Sequence, residues 1–148
     1  MTGETVVEEL ARDELTHDHV QRRVDDWAKR IDQLYDAVES WLPSGWTARR
    51  GAGVTMHEKL MDRLGVSPRH LPTLELMRNG EVSVTFRPDG LWIIGTNGRI
   101  DLIKEKVRYV VLDRAGLFDA PDWHAAPASA RRDSKRFDSA WLRTLLAT

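Results

Sequence analysis

Seven apolar residues, Val20, Val24, Trp27, Ile31, Leu34, Val38 and Trp41, recur at alternating intervals of four and three, which lays them along one stripe of an α-helix. Asp18 reads as the N-cap, with Gln21 three residues on as its reciprocal partner, and Pro43 followed by Gly45 ends the element. Residues 19 to 42 then form a rod about 36 Å long at the α-helical rise. Ala28, Tyr35 and Leu42 line one flank of the stripe and Arg23, Arg30 and Ala37 the other, so the apolar face is about three positions per heptad wide. A face of that width suits packing on a sheet or in a bundle better than a two-stranded coiled coil. Upstream, Val6 and Leu10 keep the phase, but Asp13 and His17 fall on its next positions. The pattern predicts a separate first helix, about residues 4 to 15, or a kink near Thr16.

Trp46 to Arg50 carries no decisive pattern, and Gly51-Ala52-Gly53 marks a loop. Thr55-Met56-His57-Glu58 has the form of a capping box; Leu60, Met61 and Leu64 follow, with Gly65 at the expected C′ position, so residues 56 to 64 read as a short helix. Residues 73 to 112 then alternate with a period of two. Asn79-Gly80, Pro88-Asp89-Gly90 and Asn97-Gly98 punctuate them, the pattern of an antiparallel meander of about four strands.

Register follows from keeping the apolar sides together. A two-residue turn at Asn79-Gly80 sets Leu74 against Thr85 and mixes the faces, whereas a three-residue loop, Arg78-Asn79-Gly80, pairs Leu76 with Val82 and Leu74 with Val84. The same loop length at Pro88-Asp89-Gly90 pairs Phe86 with Trp92 and Val84 with Ile94. At Thr96-Asn97-Gly98 it pairs Ile94 with Ile100 and Trp92 with Leu102. One apolar wall results: Leu74, Leu76, Val82, Val84, Phe86, Trp92, Ile94, Ile100 and Leu102. The rod of residues 19 to 42 is the element long enough to roof it. A further strand, about Val107 to Leu112, has apolar residues on both sides and an open register. Asp119 to Trp123 reads as irregular, and Phe137, Trp141 and Leu145 signal a last helix over about 135 to 146.

The expected fold is therefore α+β: a long N-terminal amphipathic helix on an antiparallel meander, with a C-terminal helix. At 148 residues and 41% hydrophobic, the chain suits a single domain over 1–148. Charge divides it. Residues 1–42 hold eleven acidic and five basic side chains, while the body, 43–148, holds twelve acidic and seventeen basic ones. The absence of cysteine removes disulfides, thiol nucleophiles and Cys-ligated metal centres, and fits a reducing compartment. The N-terminus lacks the basic and apolar regions of a signal peptide, and the longest apolar run, Leu91-Trp92-Ile93-Ile94, falls far short of a membrane span, so a cytoplasmic protein is expected. Seventeen Arg against five Lys suggests a GC-rich bacterial genome and carries no functional weight.

Candidate chemistry is sparse. His17-Asp18-His19 offers imidazoles and a carboxylate, but residues two apart on a helix diverge and no third ligand is placed, so neither a metal site nor a cofactor is expected. His57-Glu58 lacks the second histidine of a zinc helix, since position 61 is Met. His70 and His124 read as structural. No phosphate loop, nucleophile elbow or supported carboxylate pair occurs, and no catalytic constellation is found. Arg49, Arg50, Arg131, Arg132, Lys135 and Arg136 are the densest basic spots and the candidate anion-binding residues, although no nucleic-acid-binding motif accompanies them. Leu91, Ile93 and Ile103, with Arg99 and Asp101 beside them, lie on the second face of the meander. That face also takes Val110 and Leu112, and it needs a cover from the C-terminal helix or another subunit. Three functions stay open: interaction with a protein partner, first of all self-association; anion or nucleic-acid binding through the arginines; and a ligand or enzyme pocket between helix and sheet.

Overall fold

In the computed structural model, which describes residues 15–93 and 95–148, the apolar stripe is helix α1, His17–Trp41. The expected first helix falls outside the described residues except at its last position, and Ile94 falls outside them too. Thr16, not Asp18, is the N-cap: its backbone is extended and its hydroxyl accepts from the His19 N–H at 3.2 Å. That position satisfies one of the orphan donors of the first turn two residues earlier than Asp18 could.

The strands are β1 (Trp46–Arg50), β2 (Val54–Met56), β3 (Arg69–Leu71), β4 (Leu74–Arg78), β5 (Glu81–Gly90), β6 (Arg99–Lys104), β7 (Val107–Asp113), β8 (Trp123–Pro127) and β9 (Lys135–Arg136). Helix α2, Lys59–Arg63, lies between β2 and β3, and α3, Ser139–Leu146, follows β9. Seven strands form one antiparallel sheet in the order β1-β4-β5-β6-β7-β8-β9, and β2 pairs with β3 as a separate ribbon. The sheet is thus wider than the sequence pattern implied. Met56, expected to open the short helix, instead ends strand β2, and that helix starts only at Lys59; residues 135–136, expected in the last helix, are strand β9. Asp138 then caps α3, its carboxylate accepting from the Trp141 N–H at 2.9 Å.

The three expected hairpins resolve differently. Asn79 and Gly80 both take positive φ, 54° and 77°, and form a two-residue turn with Arg78 opposite Glu81. Faces stay consistent because a bulge at Ser83 shifts the ladder by one, so Leu76 meets Val84 and Leu74 meets Phe86. Val82 is left 42% exposed rather than in the wall. At Pro88-Asp89-Gly90 the chain does not turn. It continues as β5 with a bulge at Asp89, Phe86 facing Leu102 and Pro88 facing Ile100. Pro88 lies past Phe86, the partner of the first β4 residue, so its missing N–H breaks no β4–β5 bond. Trp92 consequently sits in the connection to β6, and Thr96-Asn97-Gly98 is the end of that connection. The next hairpin turns instead at Glu105-Lys106, with Glu105 at φ 55°. Strand β7 acquires its register there: Val111 faces Ile100 and Tyr109 faces Leu102.

The roof is as the stripe required. Val20, Val24, Trp27, Ile31, Leu34 and Val38 are buried against Leu74, Leu76, Val84, Phe86, Ile100 and Leu102 in one core, which fills the space between helix and sheet. Helix α3 adds Leu142, Leu145 and Leu146 to this same core, so it does not cover the opposite face as expected. Trp27 sits on Gly98 (φ 118°), where an added Cβ would overlap its six-membered ring, and its ring centroid lies 6.1 Å from that of Trp123 on β8. Two flank residues of α1 are buried as well: Arg23, and Arg30 with a side chain only 3% exposed. Arg30 donates to Asp26 at 2.6 Å, to Asp113 at 2.7 Å and to the carbonyl of Asp119. The other carboxylate oxygen of Asp113 accepts from the Ala115 and Asp122 N–H groups at 3.0 and 2.9 Å.

Breaking one side of that pair strands a charge in the core. Asp113→Leu and Arg30→Leu are each expected to lower unfolding stability by about 3–5 kcal/mol, and Arg30→Leu/Asp113→Leu by less than the two single losses combined. Urea unfolding of the three variants measures both quantities, and additive losses would show that the pair is not coupled.

Candidate functional site

Strand β5 runs four residues beyond its last pairing with β4, and there the β2–β3 ribbon comes alongside it. A cavity of about 390 Å³ opens at this junction. Val54, Met56, Leu71 and Trp27 supply apolar lining; Thr55, Arg87, Asp89, Asp101 and Arg108 supply polar groups, with Ile103 between them.

Strand periodicity explains why these polar groups share one side. Pro88, Ile100 and Leu102 point toward α1, so Arg87, Asp101 and Ile103 point to the opposite, outer face, where Arg87 lies directly across from Asp101 and Ile103 across from Arg108. Arg99 holds Asp101 through two nitrogens at 3.1 and 2.9 Å and reaches Asp89 at 3.4 Å. Asp101 is thereby neutralised along its own strand. Arg87 and Arg108 are exposed, and among the described residues no carboxylate pairs with either. Their backbones stand roughly 10–12 Å apart, two strand spacings across and two residues along. The cavity therefore carries two uncommitted guanidiniums flanking a neutralised carboxylate. Trp27, which also lines the cavity, is fully buried, and its indole Nε1–H has no partner among the described residues.

Behind this wall lies Glu58. Its carboxylate does not cap its own helix; it accepts from the Leu91 and Trp92 N–H groups at 3.0 and 3.4 Å and so ties the start of the β5–β6 connection to the ribbon. Burial pushes its pKa above the ordinary 4.5; the two N–H groups pull it down, Asp89 pushes it up and Arg23 pulls it down, and burial prevails. Burial likewise raises the Tyr35 phenol well above its usual value, against the pull of Arg50, while its hydroxyl donates to the Pro72 carbonyl at 2.8 Å.

The residues singled out in the sequence are dispersed. Leu91 is in the core and Ile93 half-buried in the β5–β6 connection, so of the proposed interaction surface only Arg99, Asp101 and Ile103 share the outer face. Arg49 pairs with Glu75 at 3.3 Å on β1, and Arg50 turns to the other side of the strand, bonding Asp32 and, at 3.0 Å, Asp36 of α1. Arg131 and Arg132 in the β8–β9 connection and Lys135 and Arg136 on β9 remain exposed together, at the opposite edge of the sheet from β1. The six do not form one site. His17 contacts Asp18 and His19 stacks edge-on against Phe118; among the described residues no three His, Asp or Glu side chains converge as a metal site would require. No helix among them is long and apolar enough to cross a membrane. Arg87 and Arg108 escaped notice because the turn expected at Pro88-Asp89-Gly90 placed Arg87 opposite Leu91 instead of Asp101.

A raised carboxyl pKa means that the folded chain takes up a proton more readily than the unfolded one, so the wild type gains relative stability as pH falls through the folded pKa toward 4.5. Between about pH 7 and 4.5, the unfolding free energy of the wild type minus that of Glu58→Gln should therefore shift in favour of the wild type. Urea titrations across that range measure it, and a flat or opposite trend would contradict the burial argument. Compared with known proteins, the chain matches no family model, no curated protein and no solved structure.

Proposed function

We propose that this chain is a binding protein whose cavity takes a small ligand carrying a carboxylate or phosphate between Arg87 and Arg108. One observation carries the reading: two arginines line a cavity without a carboxylate partner among the described residues, beside an aspartate already occupied by Arg99. Guanidinium forks match planar or tetrahedral oxyanions in geometry as well as charge. The apolar lining from Met56, Val54 and Leu71 accommodates a hydrocarbon part. Calorimetric titration with simple mono- and dicarboxylates, inorganic phosphate and phosphate monoesters at low salt tests this. A member of the panel should bind, and Arg87→Gln and Arg108→Gln should each weaken it by roughly tenfold or more, the scale of a lost charged hydrogen bond. No binding, or binding indifferent to both variants, would refute the proposal.

Self-association is a second reading on narrower ground. Val82 and Val107, 42% and 51% exposed, stand at the tips of the β4–β5 and β6–β7 hairpins, at the same end of the sheet. Sedimentation at micromolar concentration should show a dimer that Val82→Lys/Val107→Lys converts to monomer; a wild-type monomer would end this reading.

A further inference from the structure

A second cavity, of about 460 Å³, opens beside α3 and shares no residue with the first. Its size lies within the roughly 300–1,000 Å³ usual for small-molecule sites. Sheet register places its walls. Tyr109 lies across from Leu102, and Lys135 lies across from Ala125, which faces Val111 and through it Ile100, so both residues stand on the side of the sheet that carries the core. Trp141, Thr144 and Leu145 of α3 close the other side.

We infer that this cavity is a separate ligand site, for a planar aromatic ring bearing a single carboxylate. Ring geometry favours it. Tyr109 and Trp141 meet edge to face, with centroids 5.4 Å apart and planes at 89°, and Phe137 holds Trp141 from its own side at 5.3 Å. Such a corner gives a third ring one face to lie on and one edge to meet, the two arrangements that aromatic pairs prefer. Charge favours it too. Lys135 and Arg136 border the cavity, both exposed, and no carboxylate pairs with either among the described residues. The one acidic side chain on the wall, Asp138, is already occupied as the cap of α3, accepting from the Trp141 N–H, and Lys104 behind it is spent on the carbonyls of Leu145 and Thr148. Two cations against one fixed carboxylate leave room for one negative charge, and a dianion would meet Asp138 as well. By backbone, Lys135 stands roughly 12 Å from Tyr109, two strand spacings across and two residues along, a span that a one- or two-ring acid bridges.

Calorimetric titration of the full chain at low salt with benzoate, naphthoate and indole acetate tests this. At least one of these acids should bind. Naphthalenemethanol, which lacks the charge, hexanoate, which lacks the ring, and naphthyl phosphate, which carries a second charge, should each bind roughly tenfold more weakly or less. Lys135→Gln/Arg136→Gln should weaken the acid by roughly tenfold or more. Ala140→Leu/Thr144→Leu, at two exposed positions of α3, should fill the cavity and abolish binding while leaving the unfolding transition in place. Arg87→Gln/Arg108→Gln should leave the affinity unchanged, which separates this site from the one proposed above. No binding of the acids, equal or tighter binding of any of the three controls, binding that survives the charge or the filling variant, or binding lost with Arg87 and Arg108 would overturn the inference.

Discussion

Arg30 cannot be buried alone. A guanidinium removed from water costs several kcal/mol unless its donors are met. Here the partners come from Asp26 on the same helix, Asp113 at the end of β7 and the Asp119 carbonyl beyond it. Asp113, fully buried itself, gives its second oxygen to two backbone N–H groups of the segment that follows. Because each partner sits on a different piece of chain, the network closes only at one rotation of α1, one height over the sheet and one path for residues 114–122. That rotation also seats Trp27 on the bare backbone of Gly98. An apolar stripe alone would let the helix slide along the wall by a turn; the buried ion pair does not.

The cavity follows from this placement and from the unequal lengths of β4 and β5. Where β5 outruns its neighbour, the ribbon between β1 and β4 folds in beside it and is fastened by the carboxylate of Glu58. The bulge at Asp89 bends the strand at the same point. At Gly90 an added Cβ would stand 3.2 Å from the Ile93 side-chain tip, which would have to give by a few tenths of an ångström. Polar groups thus collect where a paired strand would otherwise have excluded them.

Much of the architecture was legible because hydrophobic period is a direct record of burial. The stripe from Val20 to Trp41 named its own buried face, and the alternation from Leu74 to Leu102 named most of the wall it meets. Turn chemistry was less reliable. Asn79-Gly80 forms the two-residue turn its residues favour, rejected in the sequence reading because a bulge at Ser83 leaves no trace in composition. Pro88-Asp89-Gly90 looks like a loop but lies within a strand that has lost its β4 partner. That one misplacement concealed the Arg87–Asp101 pairing, and with it the candidate site. Buried charges were equally hidden: Arg23 and Arg30 occupy ordinary flank positions of an amphipathic helix, and only tertiary partners distant in sequence separate them from solvated arginines. Of the basic doublets that drew attention instead, Arg49-Arg50 and Lys135-Arg136 belong to the edge strands β1 and β9, where charge blunts pairing with another chain, and Arg131-Arg132 lies in the turn before β9.

The contact between Trp27 and Trp123 has a spectroscopic consequence. Their ring centroids are 6.1 Å apart and their planes inclined by 42°, one ring carried by the helix and the other by the sheet. Two indoles so close and so inclined couple their strong far-ultraviolet transitions and give a circular dichroism couplet that neither produces alone. The part of that signal lost when either ring is replaced, against the background of the other four tryptophans, is therefore an optical gauge of helix-to-sheet docking that needs no label.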